Sequence, residues 1–230
     1  MANKQLITLE NQTSPGTISP SEFQNIAKAL SLQIAYDYNT SPWVEHFYAP
    51  PAEVKLLTTV PPKNTWNIIL IDDTTVQGAL GFHEDIGGGK IPVSYVSVKE
   101  TREDRVEISE VVSHEAIEMC VNSFVTNESE MRTVTHLDKK YVVEVADPVQ
   151  GNAYKVANGQ LVADFVWPKW FGMAQVRSDL SQRDSIKNPF ELAPEGYISI
   201  LENNEWKQIY GEKRSKLPPW ASRLPRMGVA

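Results

Sequence analysis

The most informative stretch for the fold is residues 108–125, Ile-Ser-Glu-Val-Val-Ser-His-Glu-Ala-Ile-Glu-Met-Cys-Val-Asn-Ser-Phe-Val. Their apolar side chains fall on nearly every side of a helix, and such a helix is normally buried. Yet the segment carries three ionisable residues, His114, Glu115 and Glu118, close together. Buried charges are costly unless they are paired or bind a metal. The segment therefore predicts a buried helix, packed against a sheet, that carries a functional site.

The spacing of these three residues points to zinc chemistry. His114 and Glu118 are four residues apart, so they project from the same helix face, with Glu115 beside them. This is the zinc-protease motif H-E-x-x-H with a glutamate in place of the second histidine. We expect His114 and Glu118 to bind zinc and Glu115 to act as the general base on a water molecule.

A catalytic zinc site needs a third protein ligand. The best candidates are Glu144 and Asp147, because they lie at the end of an apolar strand predicted at 141–146. His83 is a reserve candidate. The alternative, which the spacing leaves open, is a buried His-Glu pair that is only a hydrogen-bonded part of the core.

The rest of the chain predicts an α+β fold. A helix should begin after Ser21, and the His114 helix should begin at a capping box at Thr101 and run to Val125. Residues 127–140 are polar and predict a loop. Strands are predicted at 66–71, 79–84, 91–98 and 141–146, and hairpins over 154–165 and 198–210, with turns at Asn158-Gly159 and Asn203-Asn204.

The ends of the chain differ in composition from its middle. Residues 1–20 are polar, and 212–230 are basic and proline-rich. We therefore expect an N-terminal arm (1–20), one domain (21–211) and a C-terminal arm (212–230). Arms of this composition cannot offset their own ordering entropy, but they can order on a protein partner.

Composition excludes several classes of protein. The net charge of −7 argues against nonspecific nucleic-acid binding by the whole surface. No stretch approaches the roughly 20 apolar residues that span a bilayer, and the N-terminus does not resemble a signal peptide. We therefore expect no membrane or nucleic-acid partner, and a cytoplasmic or virion location.

Four motifs follow one another along the chain, over about residues 65–210. They are Ser113-His114-Glu115-x-x-Glu118-Met119, Glu144-Val-x-Asp147-Pro148-Val149, Val162-x-Asp164-Phe165-Val166-x-Pro168-x-Trp170-Phe171 and Pro189-Phe190-x-Leu192-Ala193-Pro194-x-Gly196-Tyr197. As a set, they resemble a family of uncharacterised zincin-like proteins of bacteria and their phages.

The resemblance implies a zincin-like fold, in which a mixed sheet has its edge strand beside the active-site helix. It implies no particular substrate. Typical members continue the helix into an Asp-Pro pair, where this chain has Asn122-Ser123. If that pair closes the metal site, the site here is weakened or inactive.

Two functions of different classes follow. The first is a zinc-dependent hydrolase, a metallopeptidase, whose substrate would add as a strand to an edge strand predicted at 91–98. The second is a structural or assembly protein, such as a phage virion component, that uses the same scaffold and binds virion proteins through its arms.

Overall fold

The computed structural model of the chain describes residues 4–46, 48–56, 65–74, 79–86, 91–125, 129–173 and 178–213. The α-helices of this part are α1 (Pro20–Gln33), α2 (Pro42–Glu45), α3 (Val98–Glu103) and α4 (Ile108–Val121). The strands are β1 (Gln5–Asn11), β2 (Ala52–Leu56), β3 (Trp66–Ile71), β4 (Gly81–Ile86), β5 (Ile91–Ser97), β6 (Thr133–His136), β7 (Lys139–Val142), β8 (Ala153–Lys155), β9 (Leu161–Ala163), β10 (Tyr197–Glu202) and β11 (Glu205–Tyr210).

A mixed five-stranded sheet is the centre of the fold. Its order is β2-β1-β3-β5-β4, with β1, β2, β3 and β5 parallel and β4 antiparallel to β5. An antiparallel four-stranded sheet has the order β11-β10-β7-β6, and β8 and β9 form a hairpin. The predicted α+β class is confirmed.

Helix α4 is buried, as its sequence predicts. All of its residues except Glu110 and His114 are buried. It packs against β4, β5 and β9 and against α1. The contact with β4 is especially close, because a Cβ atom on Gly81 would lie 2.9 Å from both the Glu115 Cγ and the Val111 Cγ1 atoms. A glycine in β4 therefore lets α4 approach the end of the sheet.

The N-terminal segment is not the loosely packed arm predicted for residues 1–20. Residues 5–11 form β1, which lies between β2 and β3 in the main sheet. Ile7 and Leu9 are fully buried there. The polar average over twenty residues concealed a short apolar run, Leu6-Ile7-Thr8-Leu9, that is long enough for a strand.

The edge of the sheet is also different from the expectation. Strand β5, predicted as the edge strand, is internal because β3 and β4 pair with its two sides. The edge strand on this side is β4.

Strand β3 has the predicted bounds. The tip of the predicted β4–β5 hairpin, 87–90, lies outside the described residues.

The single helix predicted from Thr101 to Val125 is divided into two helices, α3 and α4. Ser97 caps α3 by accepting a hydrogen bond from the Glu100 amide, whereas the Thr101 hydroxyl donates to the Ser97 carbonyl. The predicted cap at Thr101 is thus wrong, and a positive φ of 60° at Arg105 separates α3 from α4. Similarly, α1 begins at Pro20 with Ser19 as its cap, not Ser21.

In the described part of the second half of the chain, the structure has one strand more than predicted. Residues 133–136, expected to be loop, form β6, which pairs with β7. The two predicted hairpins are present as β8–β9 and β10–β11. Asn203 and Asn204 have φ values of 52° and 63°, which suit a tight hairpin turn.

Two findings concern the predicted C-terminal arm and the predicted lack of a membrane span. Most of the predicted C-terminal arm, 214–230, lies outside the described residues. Among the helices of the described ranges, none has both the length and the apolar character needed to cross a bilayer.

Candidate metal centre

Six ionisable side chains from three parts of the fold meet at one end of α4. His83 comes from β4, and Glu144 and Asp147 come from the segment that follows β7. The other three, His114, Glu115 and Glu118, come from α4 itself. His114 has 13% of its side chain exposed, and the other five are 3% exposed or less.

Glu118 is the centre of this cluster. Its Oε1 atom accepts hydrogen bonds from the Ala146 amide at 3.2 Å and the Asp147 amide at 3.1 Å. These bonds fix the carboxylate, and they tie α4 to the start of the 3₁₀ turn Asp147–Val149. The Oε2 atom faces both histidines, at 3.3 Å from His114 Nε2 and 4.0 Å from His83 Nδ1.

On one side of Glu118 lies a partly open triad. The Nε2 atom of His114 is 3.3 Å from Glu118 Oε2 and 3.2 Å from Asp147 Oδ1. One ring nitrogen thus faces two carboxylate oxygens, but it has at most one proton to donate. The Oδ2 atom of Asp147 is buried and makes no hydrogen bond of ordinary geometry within the described residues.

The electrostatics of this triad reflect crowded negative charge. Burial alone would lower the pKa of His114, but the carboxylates of Glu118 and Asp147 raise it well above its usual value. Burial, and then the charge of Glu118, raise the pKa of Asp147 to about 7, although His114 and the nearby Tyr197 hydroxyl oppose this. Without a cation, the site therefore tends to retain protons.

On the other side of Glu118 lies a closed triad formed with His83 and Glu115. The Nδ1 atom of His83 is 3.3 Å from Glu115 Oε2. Its Nε2 atom is 3.2 Å from the carbonyl oxygen of Asn122. A carbonyl oxygen only accepts hydrogen bonds, so we assign the Nε2 proton to this contact.

Asn122 fixes the fourth carboxylate of the cluster. Its amide nitrogen donates to Glu144 Oε1 at 3.4 Å and to the Arg132 carbonyl at 3.2 Å, while its amide oxygen accepts from the Arg132 amide at 2.7 Å. Glu144 Oε1 also lies 3.8 Å from His83 Nε2. An aspartate at 122 would lack the amide protons that make two of these bonds.

The predicted site residues are therefore found in one cluster, but in two groups. Asp147 lies with His114 and Glu118, whereas Glu144 lies nearer to His83. Glu115, the predicted base, contacts His83 rather than His114. From the sequence, Asn122 stood out only as a departure from an Asp-Pro pair, and its bond to Glu144 had no local signal. His83 was only a reserve ligand, because a histidine on a strand has no motif spacing that relates it to a helix.

The open triad fits a small divalent metal ion. Zinc ligands lie at about 2.0–2.1 Å, so neighbouring ligands of a tetrahedral ion are about 3.3 Å apart. The two distances from His114 Nε2, 3.3 and 3.2 Å, match this spacing. They are longer than charge-assisted hydrogen bonds, which are about 2.7–2.9 Å. Imidazole with carboxylates is also a donor set that zinc accepts.

Two other motif residues have structural roles. The Ser113 hydroxyl accepts a hydrogen bond from the Ala163 amide and so joins α4 to β9. The buried carboxylate of Asp164 accepts from the amides of Phe165 and Arg183 and from the hydroxyls of Ser181 and Ser185. These bonds explain why the fold uses a serine and an aspartate at these positions, without a catalytic role.

Comparisons of the chain with protein-family models, with curated proteins and with solved structures find no match.

Proposed function

We propose that the chain is a zincin-like, metal-dependent hydrolase that acts on peptide bonds. The observation that carries this proposal is the His114 Nε2 atom, which lies 3.2–3.3 Å from carboxylate oxygens of both Glu118 and Asp147. A zinc ion held by these three residues would polarise water and the substrate carbonyl. The partial exposure of His114 would leave one coordination position accessible.

The other side chains have distinct roles in this proposal. Glu115 is the general base that takes a proton from the attacking water, as the position after a ligand histidine suggests. The Glu115 Oε2 atom lies 3.3 Å from His83 Nδ1, so the two side chains are in contact. The amides of Ala146 and Asp147 hold Glu118, so that only its Oε2 atom is directed toward the histidines.

The substrate class follows from strand β4. This edge strand pairs with β5 on one side only within the described part of the sheet, and α4 packs beside it. An extended peptide could add to such an edge through main-chain hydrogen bonds. Because Gly81 of β4 is close to Glu115, a peptide there would lie near the proposed base.

We expect hydrolysis to be slow. One imidazole and two carboxylates would neutralise a zinc ion, whereas two imidazoles and one carboxylate would leave one positive charge. A neutral centre acidifies water less. The site is thus weaker than that of a two-histidine metallopeptidase.

The test is peptide hydrolysis by the full chain after addition of one equivalent of zinc. Glu115→Gln should abolish hydrolysis while keeping the fold and the open-triad metal, because it removes only the base. His114→Ala should lose that metal. Glu103→Gln, an exposed glutamate on α3, is the control and should behave as wild type. Equal hydrolysis by wild type and Glu115→Gln would refute the mechanism.

The alternative, an assembly protein such as a phage virion component, remains a prediction. One of its supports is removed, since residues 5–11 belong to the sheet. Deletion of 214–230 separates the two functions. It should leave folding and hydrolysis intact if the chain is a hydrolase, and it should abolish co-assembly with a protein partner if the arm serves assembly.

A further inference from the structure

The closed half of the cluster has the properties of a second cation site. When the four carboxylates of the cluster are ionised, they bring a charge of −4. Two imidazolium ions would reduce this only to −2. One divalent ion on the open triad, with both imidazoles neutral, would also leave −2. Two divalent ions with both imidazoles neutral would give zero, and a neutral cluster is the least costly to bury.

His83 is oriented as a metal ligand. A histidine that binds a metal commonly donates its other ring N–H to a backbone carbonyl, which fixes the tautomer. Here the Nε2 atom of His83 faces the Asn122 carbonyl at 3.2 Å, so the neutral ring presents the Nδ1 lone pair to Glu115 and Glu118. The His83 side chain is completely buried, and this orientation is therefore fixed by the protein.

The distances permit a shared cation. The Nδ1 atom of His83 is 3.3 Å from Glu115 Oε2 and 4.0 Å from Glu118 Oε2. Two ligands on one ion with bonds of about 2.1 Å are at most about 4.2 Å apart, so both distances are within range. The ligand atoms of His83, Glu115 and Glu118 form one compact group.

We propose that His83, Glu115 and Glu118 form a second divalent-cation site, joined to the open triad through the Glu118 carboxylate. The inference rests on the first cation site of the proposed function for its bridging carboxylate, but not on hydrolysis. Nitrogen and oxygen donors suit zinc or a similar first-row ion. Two ions that share one carboxylate would be about 3.5–4 Å apart.

This site has a functional consequence. Its ligand Glu115 is also the proposed base, and a bound cation would occupy the lone pair that accepts the proton. Hydrolysis should therefore rise with the first equivalent of zinc and fall with the second. The closed site would act as an inhibitory site.

The experiment is a zinc titration of the full chain, freed of metal by a chelator, followed by calorimetry. Wild type should bind two equivalents, and His83→Gln should bind one. Glu115→Gln should also bind one, which keeps the test valid if His83→Gln fails to fold. His114→Gln should lose the other equivalent, and His136→Gln, outside the cluster, should keep both. With manganese, the spin-resonance spectrum should show two coupled ions.

One equivalent in wild type at saturation, or two in both His83→Gln and Glu115→Gln, would overturn the second site. These results are separable from failure of the proposed function. If wild type binds two equivalents and each variant loses one as expected, but no zinc loading gives hydrolysis, the hydrolase is refuted and the second site is supported. If wild type binds only one equivalent of zinc, and hydrolysis does not fall as more zinc is added, the second site is refuted and the hydrolase is supported.

Discussion

Substitution of Asp147 by asparagine should stabilise the metal-free protein at high pH, although it replaces a buried carboxyl group in a hydrogen-bonded cluster. Burial and the charge of Glu118 raise the pKa of Asp147 from 3.8 to about 7. Between these two values the unfolded chain releases the proton while the folded chain retains it. Ionisation of Asp147 therefore favours unfolding as the pH rises from about 4 to 7, and the loss is complete above 7.

The magnitude follows from the size of the shift. Each pKa unit corresponds to about 1.36 kcal/mol, so the shift of Asp147 corresponds to about 4 kcal/mol. Asparagine does not ionise and avoids this loss, but its buried amide nitrogen would replace the Oδ2 atom, which makes no hydrogen bond of ordinary geometry among the described residues. Burying that amide nitrogen without a hydrogen bond costs about 1–3 kcal/mol, and this cost does not depend on pH. The stability of Asp147→Asn relative to wild type should thus rise by about 4 kcal/mol between pH 4 and pH 8.

The assay is urea unfolding with a chelator present at pH 4, 6 and 8. Asp72→Asn is the control, because the hydroxyl and amide of Ser14 lower the pKa of Asp72 from its ordinary value of 3.8. That shift acts only at about pH 4 and below, so the relative stability of Asp72→Asn should change little between pH 4 and pH 8. Zinc at about 1,000 times its dissociation constant should reverse the order at pH 8, since wild type would gain about 4.1 kcal/mol that Asp147→Asn does not. A relative stability that is constant with pH would refute the reasoning.

Three further predictions concern the surroundings of the cluster. Gly81→Ala should destabilise the protein by about 1–3 kcal/mol in urea unfolding and weaken zinc binding, because its Cβ atom would come within 2.9 Å of Glu115; unchanged stability and zinc affinity would contradict the close approach. Burial raises the pKa of Cys120 to about 12, so a thiol reagent at pH 8 should react only after denaturant unfolds the chain; rapid labelling of the folded protein would contradict this. Asn122→Asp should cost the metal-free protein about 1–3 kcal/mol at pH 8, measured by urea unfolding, because it removes the donor to Glu144 and adds a charge; no loss would show that Asn122 does not fix that carboxylate.

The buried helix and the placement of its ionisable side chains were predictable from the sequence because they depend on local spacing. The all-round apolar pattern of α4 indicated burial, and the four-residue spacing of His114 and Glu118 placed them on one face. The asparagine turn at 203–204 was predictable for the same reason, since its backbone conformation depends on adjacent residues.

Features that depend on long-range pairing were not predictable. Whether β5 is an edge or an internal strand depends on β4 and β3, and the local pattern of β5 is compatible with both. The role of residues 5–11 was missed because a strand of seven residues was averaged with its polar neighbours. The contact of His83 with Glu115 joins residues 32 positions apart and has no local signature.

The central claim is that the cluster binds a divalent cation through His114, Glu118 and Asp147. Anomalous X-ray diffraction at the zinc edge, from crystals of the full chain grown with zinc, tests it most directly. We expect a peak at about 2.0–2.1 Å from His114 Nε2 that also contacts Glu118 Oε2 and Asp147. A zinc-containing crystal with no peak in the cluster, and with His114 hydrogen-bonded directly to a carboxylate, would contradict it.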